Sequence, residues 1–142
     1  MFSYFFQVLF ENKYLRYGRQ MESVALQKFA SIFPNVKIMK SGLIVCHELP
    51  FIGATPDAIL IMEDGRRVCL EIKCPYTCKD KLIKVPYLET NDGGLNDLKS
   101  NHEYYVQIQM QLYLAKCDYG ILFVYSSKDY KIAVVLRKNE II

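Results

Sequence analysis

Apolar residues recur at helical spacing over residues 14 to 33, where Glu22, Leu26, Phe29 and Phe33 share one face, until Pro34 stops the run. The pattern predicts a helix with Gly18 near its start. Lys37 to Cys46 reads as a strand bent at Ser41-Gly42, and Leu49 to Thr55 as a loop holding Pro50 and Gly53. Asp57 opens an apolar run that ends at Met62, and Glu63-Asp64-Gly65-Arg66 then carries a hairpin turn signal. From Arg67 to Lys73 the pattern alternates, with Val68, Leu70 and Ile72 on one face and Cys69, Glu71 and Lys73 on the other. Pro75 closes that strand.

Tyr76 to Ser100 has no sustained period and reads as a long loop, with a short helix around Lys79 to Ile83 and a flexible Asn91-Asp92-Gly93-Gly94 turn. Asn101 to Lys116 is a second helix, with Tyr104, Ile108, Leu112 and Ala115 as its apolar stripe and Glu103, Gln107, Gln111 and Leu114 beside it. Gly120 to Ser126 and Tyr130 to Leu136 complete the chain as a pair of strands. Helix, strands, long loop, helix, strands is the order of an α/β layer with a mixed central sheet flanked by helices.

The 142 residues are enough for one domain, 1–142, with one core. With 51% hydrophobic and 23% charged residues the balance is globular, and no apolar run reaches the length of a membrane span. Met1 to Phe10 is apolar and aromatic, without a basic n-region or a small-residue cleavage site, so it reads as the lead-in to a helix. The five cysteines are odd in number and come with no secretion signal, which predicts free thiols in an intracellular protein of unspecified compartment. Cys74 and Cys78 have no second close pair to complete a zinc or iron–sulfur site. The net charge of +3 permits a nucleic-acid partner without demanding one. Arg66, Arg67, Lys73, Lys79, Lys81 and Lys84 crowd one stretch against Glu71 and Asp80, which fits a solvated surface loop as well as a phosphate-facing one.

Glu71 and Lys73 lie two apart in a strand and so project from one face, while Leu70 and Ile72 pack the other. Alone, that pair also fits an exposed strand with a solvated face. Asp57 changes the picture. With residues 63 to 66 as the hairpin loop, Asp57 falls opposite Ile72; a bulge or a three-residue loop shifts it opposite Glu71. In the shifted register two carboxylates converge, and with a backbone carbonyl and open water positions they suit Mg²⁺ or Mn²⁺. Glu22, on the apolar stripe of the first helix, needs compensation if buried, and otherwise serves as a surface carboxylate favoured by the helix dipole. Gln107 can donate and accept at once, so it can position a phosphate or a water, or simply face solvent. The chemistry this set would perform is metal-assisted phosphodiester hydrolysis, with Lys73 stabilising developing negative charge. No GxSxG or GxxxxGK[ST] segment competes with it, and His47 and His102 share no motif.

Four segments in order, Gly18…Glu22, Gly53-Ala54-Thr55-Pro56-Asp57, Leu70-Glu71-Ile72-Lys73-Cys74-Pro75-Tyr76-Thr77 and Tyr104-Tyr105-Val106-Gln107-Ile108-Gln109, resemble the YqaJ-like viral recombinase family, which includes lambda-type alkaline exonuclease and belongs to the PD-(D/E)xK nucleases. The resemblance covers roughly residues 14 to 126. It implies a restriction-endonuclease-like fold with a single-layer sheet. It implies Asp57 and Glu71 as Mg²⁺ ligands with the carbonyl of Ile72 as a third, Lys73 as the catalytic lysine, and Glu22 and Gln107 as further residues of the site. It implies exonuclease digestion of double-stranded DNA in recombination and repair, with Thr77, Lys79, Lys81 and Lys84 as candidate DNA contacts and a homo-oligomer, the ring-shaped trimer of lambda-type members. Family chains also carry an arginine-bearing helical segment ahead of the position of Gly18, where this chain has only Arg16 close by and Arg19 just after, and they continue past the last strand. The expectation is therefore a whole catalytic core with a trimmed periphery. The alternative is a DNA-binding or scaffold domain that keeps the fold without turnover.

Overall fold

The protein is described by a computed structural model over residues 12–139, so the lead-in of Met1 to Phe10 lies outside the described residues. Helix α1 spans Lys13–Ile32. It begins where the Asn12 side chain accepts the N–H groups of Tyr14 and Leu15 at 3.0 and 3.1 Å, satisfying two donors that the first turn leaves free. It ends at Phe33, whose N–H bonds back to the carbonyl of Phe29 just ahead of Pro34. Arg16 and Arg19 both lie on it and are exposed.

The strands are β1 (Lys37–Lys40), β2 (Ile44–Val45), β3 (Gly53–Ala54), β4 (Ala58–Ile61), β5 (Arg67–Lys73), β6 (Leu88–Thr90), β7 (Asn96–Leu98), β8 (Tyr119–Tyr125) and β9 (Tyr130–Leu136). A 3₁₀ turn occupies Tyr76–Cys78, and helix α2 spans Glu103–Ala115. Seven strands form one sheet in the order β1-β4-β5-β8-β9-β7-β6, while β2 and β3 make a separate two-stranded piece. The sheet is mixed: β5 runs antiparallel to β4 and parallel to β8, and β7 runs parallel to β9. The strand expected over 37 to 46 is thus divided at its Ser41-Gly42 bend, its second half leaving the main sheet to pair with β3.

Alternation along the central strands separates two apolar clusters. Ala58, Leu60, Val68, Leu70 and Phe123 pack with Ala25 and Phe29 of α1, whereas Ile59, Cys69, Leu122 and Val124 pack with Ile108 and Leu112 of α2. One helix therefore covers each face, and Cys69, Glu71 and Lys73 look towards α2. The approach of α2 depends on Gly120: a Cβ there would meet Leu112 Cδ2 at 3.1 Å and the carbonyl of Cys69 at 3.3 Å.

The connection from β5 to α2 is more ordered than its sequence implies. The Asn91-Asp92-Gly93-Gly94 segment, expected to be flexible, is the turn of the β6–β7 hairpin; the Asn91 side chain accepts the N–H groups of Gly93 and Leu95. The helical piece expected at Lys79 to Ile83 is instead the 3₁₀ turn over Tyr76–Cys78. Beyond it the backbone is tied to the turn between β8 and β9: Ser126 donates to the carbonyl of Lys81, Ser127 to the Asp80 carboxylate, and the N–H of Ile83 donates to Asp129. No described helix is long and apolar enough to cross a membrane.

Candidate active site

The β4–β5 hairpin closes with the N–H of Met62 donating to the carbonyl of Arg66, which leaves a three-residue loop, Glu63 to Gly65, with Gly65 at a φ of 87°. Ala58 consequently pairs with Leu70 and Ile61 with Arg67. Of the two registers open in the sequence this is the shifted one, and it brings Asp57 opposite Glu71, one step beyond the Ala58–Leu70 pair. The N–H of Asp57 still bonds to the carbonyl of Leu70 at 3.1 Å, and the N–H of Ile72 donates to Asp57 Oδ2 at 2.6 Å.

Glu71 is buried, with 5% of its surface exposed, so its carboxylate must be satisfied from within the protein. Helix α2 does this with residues four apart: Gln107 Nε2 donates to Oε1 at 3.0 Å and Gln111 Nε2 donates to Oε2 at 2.9 Å. Lys73 Nζ stands 3.4 Å from the same Oε1 and 3.5 Å from the carbonyl oxygen of Gln107, and lies 4.1 Å from the centre of the Tyr104 ring. The Lys73 ammonium is therefore held by a carboxylate, an amide oxygen and an aromatic face together.

Asp57 carries the electrostatic cost of this gathering. Burial, reinforced by the charges of Glu71 and then Glu22, pushes its carboxyl up to about 8, against the opposing pull of the Ile72 N–H and of Lys73. Cys74 shows the same pressure: burial first, then Glu22 and Asp57, raises its thiol to about 12. Glu22, half-buried on α1, is near enough for its charge to act on both Asp57 and Cys74. Two facing carboxyl groups, acceptor-only when ionised, are a donor set that fits a hard divalent cation. Among the described residues no cluster of three or more His, Cys, Asp or Glu side chains is arranged for a metal; what the register sets opposite one another are the carboxyl groups of Asp57 and Glu71.

Sequence patterning missed Gln111, which it placed beside Gln107 without a task. It also missed Gln109, which is buried and seals the end of β9 by donating to the carbonyl of Leu136 and accepting the N–H of Lys138. The pattern places Tyr104 on the apolar stripe and at the head of the fourth segment without assigning it a task; its ring meets Lys73. Thr77, Lys79, Lys81 and Lys84 are all exposed on the segment leaving β5. Lys79 lies over the faces of Tyr17 and Tyr76. The five cysteines are free and buried, and Cys69 and Cys117 meet at 3.6 Å between sulfurs. Cys69 donates in that pair, which together with burial holds its thiol far above the usual range.

A profile of the YqaJ-like viral recombinase domain matches residues 4–118. An uncharacterised protein of Acanthamoeba polyphaga mimivirus is 30% identical over 117 residues, covering 76% of this chain; the chain spans about a fifth of that relative, 19% of its length. Among solved structures, an alkaline exonuclease from Laribacter hongkongensis superposes with a TM-score of 0.69 at 22% identity, covering 90% of this chain and 60% of its own. A second structure of it, in complex with dAMP, gives 0.71 at 22% identity, with 92% and 62% covered. A phage-related exonuclease from Haemophilus somnus gives 0.63 at 16% identity, with 96% and 70% covered. At these identities the superpositions show the fold: a mixed α/β sheet flanked by helices, as the sequence pattern predicts.

Proposed function

The chain belongs to the YqaJ-like viral recombinase domain family, and from that premise we propose that it is a metal-dependent deoxyribonuclease, an exonuclease that hydrolyses phosphodiester bonds of double-stranded DNA in recombination or repair. The observation that carries this reading is the β4–β5 register, which sets Asp57 against Glu71 while Lys73 stays on the same face, in contact with Gln107. Asp57 and Glu71, with the carbonyl of Ile72, would hold Mg²⁺ or Mn²⁺. A bound ion of this kind polarises a phosphate oxygen and lowers the pKa of water.

The protein's own groups divide the remaining work. Lys73 is a donor-only point charge, and its neighbours hold it beside the carboxylates, where it can stabilise the negative charge that develops on the phosphate. Gln107 links the two halves, donating to Glu71 and accepting from Lys73, so a displacement of α2 would move both. Glu22 adds a third negative charge from α1. Thr77, Lys79, Lys81 and Lys84 are exposed and would meet the DNA backbone as dispersed phosphate contacts.

The test is cleavage of duplex DNA labelled at either the 5′ or the 3′ end, in Mg²⁺, in Mn²⁺ and in EDTA. Stepwise release of label in the presence of metal, abolished by EDTA, is the expected result. A protein that binds duplex DNA and Mg²⁺ yet never cleaves would instead be a scaffold that has kept the nuclease fold.

A further inference from the structure

We infer that Gln111 is the positioning residue that fixes the Glu71 carboxylate for metal binding, an inference that rests on the metal-nuclease reading of the same site. Glu71 has two oxygens and two amide donors, and the donor to Oε2 is Gln111 Nε2 at 2.9 Å. Unlike Gln107, which is half-buried and also accepts from Lys73, Gln111 is 1% exposed. Ile108 and Leu112, its neighbours on the same helix, belong to the core cluster that α2 forms with the sheet.

The cost of placing Gln111 there is visible. Its carbonyl oxygen Oε1 is buried and has no hydrogen-bond partner among the described residues. A leucine or methionine at this position would remove that orphaned oxygen but leave the buried Oε2 of Glu71 without its donor. A core position with no polar neighbour has no physical reason to prefer glutamine, whereas a buried carboxylate that must keep one orientation does. Neutral amide donors suit that task. They align the carboxylate without adding a second cation to the Lys73 ammonium that already stands 3.4 Å from Oε1. Gripping both oxygens from one helix, one turn apart, fixes the rotation of the carboxyl plane as well as its position.

The experiment compares the parent with Gln111→Met and Gln111→Leu, two shape-preserving changes that remove the donor. Mn²⁺ affinity is measured by calorimetry, melting temperature without metal, and kcat and KM on duplex DNA in Mg²⁺. Replacement of a residue that orients a metal ligand typically weakens metal affinity by about 10- to 100-fold. The expected result is a loss of Mn²⁺ affinity on that scale and a matching rise in the Mg²⁺ needed for half-maximal rate. KM for DNA should be unchanged, while the metal-free melting temperature falls, because the buried Oε2 of Glu71 loses its donor. A rate that returns to the parent's value at saturating Mg²⁺, with KM for DNA unchanged, is a result that loosened packing cannot give. Parent-like Mn²⁺ affinity in a folded Gln111→Met or Gln111→Leu protein would overturn the inference while leaving the nuclease reading in place. A parent that binds no Mn²⁺ would overturn both, and that outcome is read on the parent alone.

Discussion

Lys73 places its ammonium 4.1 Å from the centre of the Tyr104 ring, on the side of the sheet that faces α2. Tyr104 is itself fixed in an aromatic group, edge-on to His102 at 4.5 Å and to Tyr87 at 4.9 Å between centroids. His102 also caps α2, its Nδ1 accepting the N–H of Tyr104 at 3.1 Å. The helix start and the orientation of the lysine are therefore set by the same few side chains. Cation–π contacts contribute roughly 0.5–2 kcal/mol, depending on how far the pair is desolvated.

That contact predicts a difference between two substitutions. Tyr104→Phe keeps the ring face and should retain most of the parent's kcat. Tyr104→Leu removes it and should lower kcat by roughly three- to tenfold, the rate equivalent of about 1 kcal/mol. Single-turnover cleavage of both variants checks this, and equal rates for the two would show that the ring face does not matter.

How much of this was legible in the sequence depends on how many residues each feature spans. Helix α1, helix α2 and strands β4, β5, β8 and β9 carry enough apolar positions for their period to show. The β6–β7 hairpin does not: Leu88-Glu89-Thr90 and Asn96-Asp97-Leu98 offer three residues each, two in each strand polar, and their pairing depends on an Asn91 side chain bonding to its own turn. Strands β2 and β3 are two residues each, below the reach of any periodicity. Within the site, Asp57, Glu71 and Lys73 stood out because charge interrupts apolar strands, and a three-residue hairpin loop decides between the two registers the pattern allowed. Gln111 stood four residues from Gln107, which was the available signal. Only the structure shows that its side chain turns inward to an acid on a strand 40 residues earlier.

Gly120 supplies a stability prediction with a functional echo. A Cβ at this position would sit within 3.4 Å of side chains at Leu112 and Ile108 and of the Cys69 carbonyl, so both the helix and the neighbouring strand would have to give. Gly120→Ala should cost about 1–3 kcal/mol, the range for overpacking a well-filled core. Because α2 carries Gln107 and Gln111, the same displacement should weaken metal affinity. A thermal melt together with a Mn²⁺ titration checks both, and a parent-like melt would show that α2 does not rest on Gly120 this closely.

Asp57 predicts how stability follows pH in the metal-free protein. Its folded value, about 8, lies above the ordinary 3.8. Between those values the folded protein keeps a proton that the unfolded chain has released, so this group's contribution to stability falls as pH rises through the interval and levels off above about 8. The Asp57→Asn protein cannot ionise there, and should lose that downward slope. Binding of Mg²⁺ requires the ionised form, so it should release a proton below pH 8 and tighten as pH rises. Melting curves from pH 5 to 9 with and without Mg²⁺, and calorimetry in buffers of different ionisation enthalpy, report the two effects. A parent whose metal-free stability rises with pH across this range, with Asp57→Asn rising in parallel, would contradict the assignment.

The last prediction separates holding the ion from using it. Asp57 and Glu71 are acceptors when ionised, so Asp57→Ala and Glu71→Ala should abolish both cleavage and tight metal binding. Lys73 can only donate, and in the structure it touches Glu71 at 3.4 Å and Gln107 at 3.5 Å without bearing on Asp57's backbone anchor at Ile72. Lys73→Ala should therefore leave metal affinity largely intact while lowering the cleavage rate by a factor on the order of a hundred to a thousand, the usual cost of losing one donor to the transition state. Duplex binding in Ca²⁺ should survive better than turnover, since the exposed Thr77, Lys79, Lys81 and Lys84 would spread phosphate contacts over several residues. Cleavage rate, metal affinity and DNA affinity measured side by side for the three variants give three separate columns. A Lys73→Ala protein that cleaves at the parent's rate would remove Lys73 from the chemistry and leave it as the partner that neutralises a buried Glu71.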